Sequence, residues 1–316
     1  MKILVTGATG FVGKALCQQL EGKGHELVRL NSKNCDLTKE TSLNQFADRV
    51  YDEIYHLAAW TQAGDFMLYH SGEQWIINQQ INTNVLAWWQ RYQPQAKLIC
   101  LGTIGAYDPN LELVEENYLL GKPGDEFIAY GMAKRMLYAG LLSLNKQFGL
   151  NYLCVVPSTL YGPGYHTDKR QMHFIFDLIR KIIRGKFLGE PVVLWGDGYQ
   201  RRELVFLDDF VNTVLRLTTV CNNDIVNIGA GEEFAIRDFA KRICQKVGYD
   251  FNSIQFDTSR YVGAMSKCLQ IGKLRKIIPD LTMTPLDVGL AKTIEWFLKE
   301  RGKLFPAASK TAGSSL

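Results

Sequence analysis

The chain has 316 residues, 47% hydrophobic and 22% charged, an ordinary globular composition with length enough for a large core or two domains. Its 36 Lys and Arg against 32 Asp and Glu leave a formal charge of +4, well short of the clustered basic surface of a nucleic-acid binder. No run approaches the ~18 uninterrupted apolar residues of a membrane span, so no membrane partner is expected.

In chain order, Ile3–Val5, Glu26–Leu30, Glu53–His56, Lys97–Leu101 and Tyr152–Val156 read as buried strands. Helical patterns lie between them at Gly13–Lys23, Glu73–Tyr92 and Glu126–Phe148. Parallel neighbours need crossover connections, so this alternation predicts an α/β fold, a doubly wound parallel sheet of Rossmann type. After about residue 160 the rhythm breaks into a loop rich in Gly, Pro and His. A helix over Met172–Arg184 and a strand over Val192–Trp195 follow. Short strands at Val205–Leu207 and Ile225–Ile228 then precede helices at Asp208–Thr218 and Ala235–Val247. A last helix, Leu286–Arg301, starts after Pro285. Residues 305–316 are small and polar and are expected to be a disordered tail.

Two features bear on location. Lys2–Val5 is too short to be the apolar region of a signal peptide. The seven cysteines (17, 35, 100, 154, 221, 244 and 268) form no C-x-x-C pair and no zinc or disulfide spacing, so no metal site is expected. Both observations predict a cytoplasmic protein with reduced thiols.

Thr6-Gly7-Ala8-Thr9-Gly10-Phe11-Val12-Gly13 follows the first strand and opens the first helix. Its glycines permit a tight turn and bring a pyrophosphate close to free N–H groups at a helix start, the chemistry of a dinucleotide site. The second strand ends in Arg29-Leu30-Asn31-Ser32-Lys33, without the carboxylate that usually binds an adenosine ribose. An uncharged or basic rim favours NADP(H), with NAD(H) as the alternative. Asp36 and Leu37 follow closely and are expected to meet the adenine.

Tyr130 and Lys134 stand four apart in a helical segment, on one face. An ammonium beside a phenol favours its anion and makes it a usable acid and base near neutral pH. Thr103 lies just past the end of the fourth strand, where open α/β sheets place ligands. A hydroxyl, a phenol and an ammonium beside a dinucleotide suit hydride exchange between a carbonyl and an alcohol.

These residues carry a resemblance. Thr6–Gly13, His56-Leu57-Ala58-Ala59, Tyr130–Lys134, Pro157–Pro163, Arg202–Asp209 and Asn227–Gly231 together resemble the extended short-chain dehydrogenase/reductase (NAD-dependent epimerase/dehydratase) family over nearly the whole chain. Within it, Val192–Gly198, Arg202 and His173 beside Arg180-Lys181 are similar to the GDP-L-fucose synthase branch. The resemblance implies a catalytic set of Thr103, Tyr130, Lys134 and His173. It implies a cofactor site of Gly7, Thr9, Gly10, Phe11, Val12, Gly13, Asn31, Ser32, Asp36, Leu37, Leu57, Ala58, Ala59, Tyr130, Lys134 and Pro157. For a GDP-linked sugar it implies Thr103, Thr159, His173, Lys181, Trp195 and Arg202. It further implies an NADP(H)-binding domain over residues 1–163 and about 204–230, and a substrate domain over 164–203 and about 231–304. A homodimer packed through the helix of Tyr130 and the helix before it is also implied, with Trp88, Trp89 and Tyr92 as candidate contacts.

Two positions depart from that branch. Gly105 stands where the synthases carry the cysteine that removes the sugar's α-protons, and Thr159 stands where they carry an asparagine. The expected activity is therefore reduction at carbon 4 of a nucleotide-diphosphate keto-sugar, without full epimerisation. A 4-epimerase or 4-dehydrogenase retaining NAD(H), and the bifunctional 3,5-epimerase/4-reductase, remain open. Ile104-Gly105 argues against a 4,6-dehydratase, which carries an acidic pair there. A nucleotide-sensing protein without catalysis is the reading from another class. The charge has a local origin: residues 165–202 hold eight basic and four acidic residues, and the remainder carries 28 of each sign. That basic stretch suits a small polyanion.

Overall fold

The computed structural model describes residues 1–62, 66–166, 171–260 and 264–300. Six parallel strands form the central sheet, in the order β10-β5-β4-β3-β1-β2. In chain order these are β1 (Lys2–Thr6), β2 (Glu26–Leu30), β3 (Glu53–His56), β4 (Lys97–Leu101), β5 (Tyr152–Pro157) and, after four short strands, β10 (Asp224–Ile228). Those four are β6 (Thr159–Tyr161), β7 (Val193–Trp195), β8 (Arg201–Arg202) and β9 (Leu204–Phe206). Two more, β11 (Phe234–Ala235) and β12 (Gln255–Asp257), pair with β8 and β7.

The helices that cross over between strands are α1 (Phe11–Gly22), α2 (Phe66–Tyr69), α3 (Ser71–Tyr92), α4 (Ile128–Phe148) and α6 (Leu207–Val220), with α5 (Phe174–Leu188) between β6 and β7. The C-terminal part adds α7 (Ile236–Val247), α8 (Gly272–Ile277) and α9 (Leu286–Lys299). The chain leaves β1 toward β2 on one side and returns to β3 on the other. That reversal opens a crevice beyond the carboxyl ends of β1 and β3.

The α/β expectation holds; many element ends shift by one to four residues, and three of these shifts have clear local reasons. The first helix starts at Phe11, two residues early, because Gly10 adopts the extended conformation of a cap. Leu207 opens α6 rather than closing a strand, since Asp208 and Asp209 fill that helix's first turn and complement its positive end. Asp125–Phe127 form a separate single turn, so α4 begins at Ile128 rather than Glu126. The tail expectation for residues 305–316 lies outside the described residues.

Apolar side chains gather into two clusters. The larger surrounds the central sheet; the smaller joins α5, α7, α9 and β7. Phe11 touches both: its ring meets Tyr165 edge-on at 5.1 Å and Phe176 at 5.7 Å, while Tyr165 stacks on Phe176 at 3.9 Å. Trp88 and Trp89, candidates for a contact between subunits, are instead buried in the larger core, and Trp89 donates its indole N–H to Ala96 O. Six of the seven cysteines are buried free thiols: Cys244 lies in the smaller core and the other five in the larger. Among the described residues no helix is long and apolar enough to cross a membrane.

Phe176 is fully buried at the join of the aromatic stack, so Phe176→Ala leaves a cavity that its neighbours cannot collapse. A loss of about 3–5 kcal/mol in unfolding free energy is expected, read from urea midpoints at unchanged slope.

Candidate active site

The glycine-rich turn is shaped by backbone crowding. Gly7 has φ +66°, and a Cβ there would lie 2.8 Å from Ala58 N in the turn after β3. A Cβ on Gly13 would collide with Gly7 O. Only hydrogen at both positions lets the two turns and the start of α1 close on one another. Thr9 and Gly10 at the tip stay exposed, with Phe11 and Val12 partly buried behind them. This is the cradle a pyrophosphate needs at a helix N-terminus, so the residues present fit a dinucleotide.

At the end of β2, Asn31 N–H donates to Asn34 Oδ1 and Asn31 Oδ1 accepts from Lys33 N–H, leaving Ser32 and Lys33 exposed on the rim. Asp36 is also held within its own turn. Its carboxylate accepts from the Thr38 hydroxyl at 2.7 Å and backbone at 3.2 Å, which lowers its pKa, and Leu37 is buried in the core.

Behind the cradle runs a buried chain of hydrogen bonds. Thr6 Oγ1 accepts from the N–H groups of Leu57 and Ala58, both at 3.2 Å, so its own proton goes to His56 Nδ1 at 2.9 Å. His56 Nε2–H then donates to Asn82 Oδ1 at 3.1 Å, and Asn82 Nδ2 donates to Ala133 O at 3.3 Å. Ala133 precedes Lys134, so the chain ties the dinucleotide turn to the helix of Tyr130 and Lys134. Burial, and then the charge of Lys134, lower His56 to about 4 and keep it neutral.

Thr103 lies two residues past the end of β4 and caps a short turn, with its Oγ1 accepting from Gly105 N–H at 3.3 Å. That loop rests directly on α4: a Cβ on Gly131 would lie 2.7 Å from Gly105 O and 3.2 Å from Ala106 Cα. Arg135 fastens it further, donating to Ala106 O at 2.7 Å, Gly121 O at 2.8 Å and Leu120 O at 2.7 Å. Lys134 is buried with Nζ 5.7 Å from the Tyr130 ring centre, and Tyr130 keeps partial exposure. The structure thus gathers Thr103, Tyr130 and Lys134 around one loop-to-helix contact. Pro157 at the end of β5, Thr159 at the start of β6 and the Leu57–Ala59 turn after β3 are partly exposed.

The other expected substrate residues lie on the C-terminal elements. His173 caps α5; it is open to solvent, though crowding by protein and then the neighbouring His166 lower its pKa. Lys181 pairs with Asp177 at 2.9 Å. Trp195 is exposed, with the Arg260 guanidinium 5.5 Å above its ring. Arg202 donates to Arg201 O and, at 2.8 Å, to Ala264 O.

That last bond shows what the sequence reading missed. Segment 264–269 is strung along residues 201–203: Arg201 N–H donates to Met265 O, and buried Glu203 accepts from Leu269 and Gly231 N–H. It carries Lys267 to the side of Arg202. Burial and then Arg202 lower the Lys267 ammonium to about 8, and its Nζ stands 4.0 Å from the centre of the Phe127 ring. A single lysine in an irregular stretch has no pattern to announce it. Gly131 did leave a signal, a glycine inside a helix beside the candidate tyrosine.

The model of the NAD dependent epimerase/dehydratase family matches residues 3–229. The GDP-L-fucose synthase of Escherichia coli K12 is 28% identical, covering 96% of this chain and 98% of its own. A dTDP-4-dehydro-6-deoxy-D-allose reductase of Streptomyces bikiniensis is 26% identical over 93% and 95% of the two chains. Among solved structures, a GDP-L-fucose synthetase from Naegleria fowleri superposes with TM-score 0.85 at 25% identity, over 95% of this chain and 94% of that one.

The buried histidine makes a stability prediction. Unfolded imidazole protonates near 6.5 while native His56 resists until about 4, so the unfolded state binds more protons in between. Stability should be flat above pH 6.5 on this account and fall by up to about 3 kcal/mol toward pH 4. In His56→Gln that part of the acid limb should vanish from a series of urea melts.

Proposed function

Because the chain belongs to the NAD dependent epimerase/dehydratase family, we propose that it is an NADP(H)-dependent oxidoreductase acting at carbon 4 of a GDP-linked keto-sugar. The observation that carries this reading is the seating of the Thr103 loop on α4, which sets a hydroxyl, a phenol and an ammonium beside a dinucleotide cradle. The rim of Asn31, Ser32 and Lys33, without a carboxylate, supports NADP(H) over NAD(H).

A bound nicotinamide supplies the hydride. Tyr130 gives its proton to the sugar's carbonyl oxygen as negative charge develops there. Thr103 Oγ1 accepts from Gly105 N–H, which leaves its own proton free to donate to the same oxygen. Lys134 stabilises the phenolate that Tyr130 leaves behind. Arg202 and Lys267 set two cations near one another, an arrangement that favours an anion such as a diphosphate beside them. His173, Lys181 and Trp195 line the C-terminal side, which we assign to the nucleotide-sugar, and the sheet domain takes the cofactor. His173 has no partner base at position 105 and therefore serves contact rather than double epimerisation. Exposed Ile76 on α3 and Met136 and Leu142 on α4 support a homodimer through those helices.

The test is reduction of GDP-4-keto-6-deoxymannose with NADPH or NADH, followed by nicotinamide absorbance. Turnover with NADPH is expected to exceed that with NADH, and Tyr130→Phe to lower kcat by roughly 100-fold or more. Near-normal reduction by that variant would overturn the mechanism. A second prediction concerns pH: GDP affinity, measured by calorimetry, should weaken as pH rises through about 8, where Lys267 loses its proton. Lys267→Met should bind GDP weakly with that dependence removed.

A further inference from the structure

Position 105 has no side chain, and something else fills the space. A Cβ built on Gly105 would lie 2.8 Å from Phe127 Cδ1 and 3.1 Å from Cγ, closer than a real Cβ approaches a ring. Phe127 is the residue before α4 and three before Tyr130, and its ring is only partly buried. The Lys267 ammonium stands 4.0 Å from the ring's centre, within the range of an attractive cation–π contact. The Glu126 carboxylate, one residue before the ring, also acts on the Lys267 charge, and among the described residues it makes no ion pair with it, so the ring is the group in direct contact. One aromatic side chain therefore touches the loop of Thr103 and adjoins the start of the helix of Tyr130. It also touches the cation beside Arg202.

We infer that Phe127 is a specificity-determining residue: its ring occupies the place of a residue-105 side chain, forms the wall beside the reacting sugar, and positions Lys267 for the diphosphate. The inference rests on the nucleotide-sugar reading above and deepens it. Two consequences follow from the contact geometry. The sugar meets an aromatic face where an acid–base side chain would otherwise reach its α-carbons. Any side chain added at 105 must push the ring, and so disturbs the ammonium on the ring's face.

A double-mutant cycle with GDP as the probe tests this, using calorimetry on the full chain at neutral pH. Phe127→Leu is expected to weaken GDP binding roughly threefold to thirtyfold, the range of a partly desolvated cation–π contact. In the Lys267→Met background the same change should cost less than about twofold, because the cation it positions is gone. Gly105→Ala leaves Phe127 chemically intact and should reproduce part of the loss by displacing its ring. NADPH affinity, read by fluorescence, should stay unchanged in all of these variants, which separates the effect from a general loss of fold. With GDP-4-keto-6-deoxymannose, Phe127→Leu should raise KM while kcat stays within about twofold. Equal costs of Phe127→Leu with and without Lys267 would overturn the positioning role. Should the unaltered protein bind no GDP at all, the nucleotide-sugar reading fails and takes this inference with it. GDP binding without coupling sinks the inference alone.

Discussion

The site depends on one backbone-to-backbone contact. Helix α4 meets the loop after β4 at Gly131, whose missing side chain lets Gly105 O and Ala106 Cα come within reach of the helix backbone. Three carbonyls of the surrounding loops are then held by one buried guanidinium, that of Arg135. A charge taken out of water is tolerated there because neutral carbonyls share it. The arrangement is stiff, so the distance between a strand-end hydroxyl and a helical phenol is set by rigid elements rather than by a mobile loop.

Electrostatics divides the cleft into two zones. Its floor, from Thr6 through His56 to Asn82, is buried, neutral and fully hydrogen-bonded. Its C-terminal wall brings Arg202 and Lys267 together where neither is fully solvated. In the proposed function, the neutral floor would leave the field of Lys134 to act on Tyr130, and the cationic wall would anchor polyanionic parts of the ligand. The formal +4 of the chain thus says less than its placement. Part of the basic stretch, Arg180, Lys181 and Arg184, is spent on Asp177 and Glu190, while Lys267 lies outside that stretch altogether.

Much of this was legible in the sequence for identifiable reasons. Strands Glu26–Leu30, Glu53–His56 and Lys97–Leu101 are short apolar runs between clear helical periods, and their limits are those observed. The turn at Thr6–Gly13 and the pair Tyr130 and Lys134 announce themselves because glycine spacing and i,i+4 spacing are local properties. Lys267 and Phe127 are functional candidates only through contacts made far along the chain, which no periodicity encodes. Asp36 shows a local bond that ligand-based reasoning does not anticipate. Its carboxylate accepts from the Thr38 hydroxyl and backbone two residues on, a turn bond encoded by local sequence.

The distribution of thiols has a consequence for studying the folding of this molecule. Five buried cysteines lie in the core around the sheet and a single one, Cys244, in the core between α5, α7 and α9. Each becomes reactive toward a soluble alkylating reagent only when its surroundings open. The native chain therefore carries its own reporters, already divided between the two cores: the labelling rate of Cys244 against that of Cys100 or Cys154 reads whether the cores open together or one ahead of the other.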